Sequence, residues 1–229
     1  MKPERLVFWD IDGTLMYCGA DGTLALNQTF RNLYGIDAAF EKVSVGHAMD
    51  AAHVRGVLER FSLPAGDAPK VKAAYASTLK EILQKDETRK ILPGVQKLLS
   101  EVEKSGNTIS ALLTSNYQIG AELKLASVGL DSFFAFGGFG DGDGEKWDAA
   151  ERCISEMEAA LDTVFPKTQI FLVGDGVYDI ETAKRLGIRS VAVGTGWTPS
   201  ERLKEQHPDF YFDDLSGTAA VLRVLLGEK

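Results

Sequence analysis

Leu6-Val7-Phe8-Trp9-Asp10-Ile11-Asp12-Gly13-Thr14 is the stretch that decides the fold of this 229-residue chain. Four apolar residues in a row read as a strand buried on both faces. Two carboxylates, one residue apart, then stand at its exit. Like charges held that close resist joint ionisation unless a cation or a shared proton compensates them. Gly13 and Thr14 let the backbone turn sharply and present N–H groups to an anion. A solvated turn is the plain alternative, because Asp and Gly dominate turns in general. Three later segments argue against it.

Outward from this strand, short apolar runs alternate with helix-period segments. Residues 5–10, 108–114, 133–136, 169–174, 190–194 and 210–212 are the strand candidates. Their near-continuous apolar character is what a parallel sheet covered on both faces requires. Val95, Leu98, Leu99 and Val102 mark one helix face, closed by Gly106-Asn107. Trp147, Ala150, Ile154, Met157 and Leu161 mark a second, and Ile180, Ala183 and Leu186 a third that ends at Gly187. Val221, Val224 and Leu225 form the last stripe. This rhythm predicts βαβ units and a doubly wound α/β sheet.

The rhythm breaks once. Residues 16–90 are helical in pattern, with no good strand. Leu26, Phe30, Leu33 and Tyr34 suggest one helix, and Val54, Val57, Leu58 and Phe61 a second. Val71, Ala74, Tyr75, Leu79, Ile82 and Leu83 suggest a third, with loops at Pro64-Ala65-Gly66 and at residues 85–90. The expected division is a core of residues 1–15 and 91–229 with an inserted helical domain at 16–90. An all-helical block at that point reads as a lid over the strand ends or as a passive surface insertion, and its place at the catalytic edge favours the lid.

Three more signals stand at the ends of later segments. Leu112-Leu113-Thr114-Ser115-Asn116 ends a strand in hydroxyl and amide residues before a helix, which suits phosphoryl oxygens and equally suits an ordinary helix cap. Lys146 opens a helix beyond a glycine-rich stretch, an electrostatically poor place for a cation unless an anion lies nearby or the side chain points into water. Phe171-Leu172-Val173-Gly174-Asp175 ends a strand in Gly-Asp, and Asp179 follows on the opening turn of a helix. Carboxylates at that spacing can hold a hard cation, although Asp179 could simply complement the helix dipole. Gly174-Asp175-Gly176 is no dinucleotide fingerprint, because Asp179 takes the third glycine position and would repel a pyrophosphate. Residues 141–145 are no calcium loop either, since Lys146 stands where that loop needs glycine.

Composition narrows the functional class. A net charge of −8, with no Lys/Arg stripe, argues against a nucleic-acid partner. No apolar run reaches the length of a membrane span, and the chain is expected to open into a strand rather than a cleavable leader. Cys18 and Cys153 have neither the number nor the spacing of a disulfide framework or zinc site, and His47, His53 and His207 are scattered. A reduced, cytoplasmic protein is the expectation.

With these residues in hand, the chain resembles the haloacid dehalogenase-like hydrolase superfamily over nearly its whole length. Asp10-Ile11-Asp12-Gly13-Thr14, Thr114, Lys146 and Gly174-Asp175-Gly176 with Asp179 fall in that family's motif order. The helical insertion looks like the C1-type cap of phosphoglycolate phosphatases and β-phosphoglucomutases. The resemblance implies a Rossmann-like core and an aspartyl-phosphate mechanism in which Asp10 is the nucleophile and Asp12 the acid–base group. It also implies Mg²⁺ held by Asp10, the Asp12 main-chain oxygen and Asp175, with Asp179 supporting or ligating. Thr114, Ser115 and Lys146 would bind the transferring phosphoryl group. His47 is a candidate substrate contact, in a segment similar to a stretch of related caps. Asp12 favours phosphate esters, because dehalogenating members attack carbon and lack this residue. Thr14 is more typical of phosphatases than of mutases. The implied activity is therefore a Mg²⁺-dependent phosphatase of a small phosphorylated metabolite, acting as a monomer or homodimer without membrane or nucleic acid. The alternatives are a phosphomutase of the β-phosphoglucomutase type and a catalytically silent binding protein.

Overall fold

The computed structural model describes residues 2–43, 49–85 and 88–227. At its centre lies β1 (Arg5–Trp9), flanked by β4 (Thr108–Leu113) on one side and β6 (Ile170–Gly174) on the other. Beyond β4 runs β5 (Gly137–Gly138), and beyond β6 run β7 (Arg189–Val193) and β8 (Phe210–Phe212). The order β5-β4-β1-β6-β7-β8 is parallel throughout. The chain builds outward from β1 through β4 and then starts again on the other side with β6. The carboxyl ends of β1 and β6 therefore flank the reversal, where an open α/β sheet places its ligand crevice.

Both faces of the sheet are covered, and strand alternation divides the core in two. Val7, Trp9, Phe171 and Val173 pack with α4 (Val95–Ser105), α5 (Gln118–Ala126) and α9 (Thr218–Leu226). Leu6, Phe8, Leu113 and Leu172 pack on the opposite side with α6 (Lys146–Leu161) and α7 (Val177–Leu186). Leu6, Val7 and Phe8 are wholly buried, each contributing about 1.5–3 kcal/mol. A smaller cluster seats Leu203 of α8 (Ser200–Glu205) against Ile180 and Ala192.

The predicted strand at 133–136 is corrected. The residues Asp131–Phe133 form a 3₁₀ turn, and the ladder is made by Gly137 and Gly138 against Leu112 and Leu113. Phe133 and Phe134 find burial in the first core and Phe136 in the second, so their apolarity serves packing on both sides of the sheet edge. The stretch between β1 and α4 also holds strand, against the expectation. β2 (Met16–Tyr17) and β3 (Lys90–Ile91) pair antiparallel where the chain leaves and re-enters the sheet. The expected loop at Pro64-Ala65-Gly66 contains a 3₁₀ turn, Ala65–Asp67.

Between those two strands lie α1 (Asp21–Tyr34), α2 (Asp50–Arg60) and α3 (Ala68–Lys85). They share a core of their own around Leu26, Phe30, Val54, Leu58, Tyr75 and Leu79, which also takes in Tyr117, next to α5. The first turn of α2 is tied to the strand ends below. Asp50 N–H donates to Ser115 O and Ala51 N–H to Gly140 O, both at 2.9 Å, and the Asp50 carboxylate accepts from Tyr117 N–H at 2.9 Å. Among the described residues no helix is long and apolar enough to cross a membrane.

Candidate active site

Asp10 follows the last residue of β1 and Asp175 the last of β6, and the ladder sets Trp9 beside Val173. Asp179 comes from the first turn of α7. Each of the three carboxyl groups offers an oxygen within 4.8 Å of the others, and all three residues are buried. Lys146, only 3% exposed, enters from the first turn of α6 and donates to Asp10 Oδ1 at 2.9 Å and Asp179 Oδ1 at 2.6 Å. The reading of this lysine as solvated is thereby excluded. Asp179 also accepts from Gly176 N–H at 3.0 Å, and Asp175 from the Thr14 hydroxyl at 3.0 Å.

Two glycines make room for Asp175. A side chain on Gly13, whose φ is +88°, would begin 2.6 Å from Asp175 Oδ2, and one on Gly196 would begin 1.6 Å from the same atom. The two backbones are joined by the Thr195 hydroxyl, which donates to Gly13 O at 2.6 Å. The segment after β7 thus forms one wall of the site, and Trp197, 62% exposed, stands at the cavity mouth.

One ammonium cannot neutralise three buried carboxylates. Burial, only partly opposed by Lys146 and reinforced by Asp179, pushes Asp10 up to about 7. Burial, reinforced by Asp10 and Asp179, pushes Asp175 up to about 8. Lys146 stays above the usual lysine range in spite of its burial, because Asp10 and Asp179 hold its proton. A cluster that resists full ionisation and offers only hard oxygen donors fits a divalent cation such as Mg²⁺, which would supply the missing positive charge.

Asp12 points elsewhere. Its carboxylate, 22% exposed, accepts from Lys124 Nζ at 2.8 and 2.7 Å and from Asn116 Nδ2 at 2.7 Å, and the Cys18 thiol donates to it as well. Burial works to raise Asp12, but Lys124 and the hydrogen bonds of Cys18 and Asn116 hold it below the usual carboxylate range. Asn116 Nδ2 also donates to Thr114 Oγ1 at 2.7 Å, which links Asp12 to the end of β4. Asp10, Asp12, Thr114, Ser115, Lys146, Asp175 and Asp179 all border one cavity of about 480 Å³. Leu26, Phe40, Glu41, Asp50 and His53 close it from the helical insertion. His47 lies outside the described residues.

The sequence reading missed Lys124, and it named Asn116 and Cys18 without this contact to Asp12. A signal existed for Lys124: Ala121, Lys124 and Leu125 occupy one buried stripe of α5, so a cation sits where the helix period calls for an apolar residue. Trp147 directly follows Lys146. It packs edge-on against Tyr178, with the Arg185 guanidinium 4.5 Å from its ring.

Comparison with known proteins bears on the family and the fold. A family model described as haloacid dehalogenase-like hydrolase matches residues 4–187. A phosphoglycolate phosphatase of Pseudomonas savastanoi pv. phaseolicola is 26% identical over 216 residues, covering 93% of this chain and 78% of that one. One of Vibrio cholerae is 26% identical over 234 residues, covering 98% and 99%. Among solved structures, CbbY from Rhodobacter sphaeroides in complex with phosphate superposes with a TM-score of 0.71 at 20% identity, over 94% of this chain and 96% of that one. At that identity the likeness speaks for the fold.

Proposed function

Because this chain belongs to the haloacid dehalogenase-like hydrolase family, we propose that its acidic cavity hydrolyses the phosphate monoester of a small metabolite through a phosphoryl group carried on Asp10. The observation that carries this reading is the convergence of Asp10, Asp175 and Asp179 around Lys146 at the floor of one cavity. Residues 16–90 serve as its cap over a core of residues 1–15 and 91–229, and the enzyme works in the cytosol.

Asp10, Asp175, Asp179 and the Asp12 main-chain oxygen would hold Mg²⁺, which when bound supplies positive charge against the carboxylates and the substrate phosphate. Lys146 orients the Asp10 carboxylate for attack on phosphorus and favours its ionised form, with the cation supplying the rest of the compensating charge. Attack forms an Asp10–phosphorus bond and breaks the ester bond, and Asp12, which Lys124 holds ionised in the free site, takes up a proton as the substrate enters and delivers it to the departing oxygen. Asp12 then takes a proton from the water that cleaves the phosphoryl-aspartate, returning free phosphate and the Asp10 carboxylate. The Thr114 hydroxyl, Ser115 and Lys146 bind the non-bridging oxygens, where the charge of the transferring group resides.

The test is phosphate release from a panel of phosphorylated metabolites with and without Mg²⁺. Phosphoglycolate leads the panel because it is named in the relatives. Release that needs Mg²⁺, requires no bisphosphate activator and disappears in Asp10→Asn supports the reading. Turnover only with an activator points to a mutase, and inactivity across the panel to a binding protein.

A further inference from the structure

Lys124 lies on α5 with 2% of its surface exposed. Its ammonium has three donors, and the geometry engages both Asp12 oxygens, at 2.8 and 2.7 Å, and Asn116 Oδ1 at 2.8 Å. Holding the Asn116 oxygen turns the amide nitrogen towards Asp12 Oδ2 and Thr114 Oγ1, both at 2.7 Å. One side chain therefore orients the Asp12 carboxylate directly and the Thr114 hydroxyl through one intermediary. The other buried residues of α5, Gly120, Ala121 and Leu125, offer no polar side chain. Packing alone would be met by a methionine there, and burying an ammonium carries a large desolvation cost that only a specific partner offsets. The two lysines buried among the described residues divide the two aspartates of the β1 exit between them: Lys146 takes Asp10 and Lys124 takes Asp12.

We infer that Lys124 is a positioning residue for proton exchange, fixing the Asp12 carboxylate at the cavity wall both directly and through Asn116. This inference rests on the assignment of Asp12 as the acid–base group. An unrestrained carboxylate at this site would sample rotamers in which its oxygens miss the leaving group, and misplacement by about 1 Å costs on the order of 100-fold.

The experiment compares Lys124→Met, Asp12→Asn and the double variant by rapid quench. It uses the alkyl phosphate that the wild-type enzyme turns over best and dinitrophenyl phosphate, whose phenolate leaves without a proton. Lys124→Met is expected to slow phosphoryl transfer from the alkyl ester by about 10- to 100-fold, and the first-turnover release of dinitrophenolate by less than about threefold. Acting through Asp12, it adds no more than about a twofold loss in the Asp12→Asn background. Equal losses on the two esters, or losses that multiply in the double variant, overturn the inference. Asp12→Asn without leaving-group dependence overturns the assignment of Asp12 and the inference together. That dependence in Asp12→Asn but not in Lys124→Met overturns the inference alone. If Lys124→Met does not fold, the same cycle is run with Lys124→Arg. Its planar guanidinium keeps the charge without reproducing the three-way contact, so a smaller loss confined to the alkyl ester is expected, and an equal loss on both esters overturns the inference.

Discussion

Replacing Gly196 with alanine would place a methyl carbon 1.6 Å from Asp175 Oδ2, 2.3 Å from its Cγ and 2.7 Å from its Cβ. Ordinary contact begins at 3.4 Å, so the carboxylate must retreat by roughly 1.8 Å (3.4 less 1.6). A Cβ at Gly13 would lie 2.6 Å from the same oxygen and 2.9 Å from Gly196 Cα, and the Thr195 hydrogen bond ties the two loops together, so the wall has little room to give. The backbone of Gly196 lies outside the left-handed region, so alanine brings no strain of its own. The expected cost in stability is that of local overpacking, about 1–3 kcal/mol. The expected cost in function is larger, because a shift above 1 Å at a reacting centre takes on the order of 100-fold from the rate. Gly196→Ala should therefore stay folded by circular dichroism, lose at least about 100-fold in kcat/KM and lose the rise in Tm that Mg²⁺ gives the wild type. A variant that binds Mg²⁺ and turns over substrate within about twofold of wild type would refute the role given to Asp175.

Lys146→Met removes the cation at 2.9 and 2.6 Å from two buried carboxylates, and chemical denaturation at pH 8 without Mg²⁺ should show a loss of about 3–5 kcal/mol. The pH dependence has a definite sign. Asp10 and Asp175 are raised to about 7 and 8, so the folded state binds protons more readily than the unfolded chain. Their contribution to metal-free stability is full below the unfolded carboxyl range and is lost as pH rises through 7 to 8. The Lys146→Met loss should accordingly shrink at pH 5, and one that grows on acidification would contradict this. On the proposed reading Mg²⁺ displaces the same protons, so its affinity by calorimetry should fall from pH 8 to pH 6, by up to about tenfold per pH unit for each proton displaced. A pH-independent Kd would remove the titrating carboxylates from the metal seat.

Much of the sheet was legible because β1, β4, β6 and β7 are apolar runs punctuated by residues that cannot continue them, and a parallel strand buried on both faces needs little else. The same punctuation marks Asp10, Asp12, Asp175 and Asp179. Lys146 was legible in motif order, yet its partners were not, since Asp10 stands 136 residues away in the chain. Lys124 was missed for the same reason: its partner Asp12 is 112 residues distant, and a single lysine in a helix reads as solvated until its neighbours are known. The phenylalanines at 133–136 misled because apolarity reports burial, and burial there is achieved in the layers above and below the sheet. The closeness of Gly196 to Asp175 joins two loops whose spacing no local pattern encodes.

The most direct measurement is the identity of the residue that carries the phosphoryl group. The enzyme is mixed with Mg²⁺ and substrate, quenched in acid during the first turnover, reduced with borohydride, digested and mapped by mass spectrometry. The expected result is conversion of Asp10 to homoserine, absent without substrate and absent in Asp10→Asn. Covalent phosphate on any other side chain, or full turnover with no enzyme-bound phosphate, would contradict nucleophilic attack by Asp10.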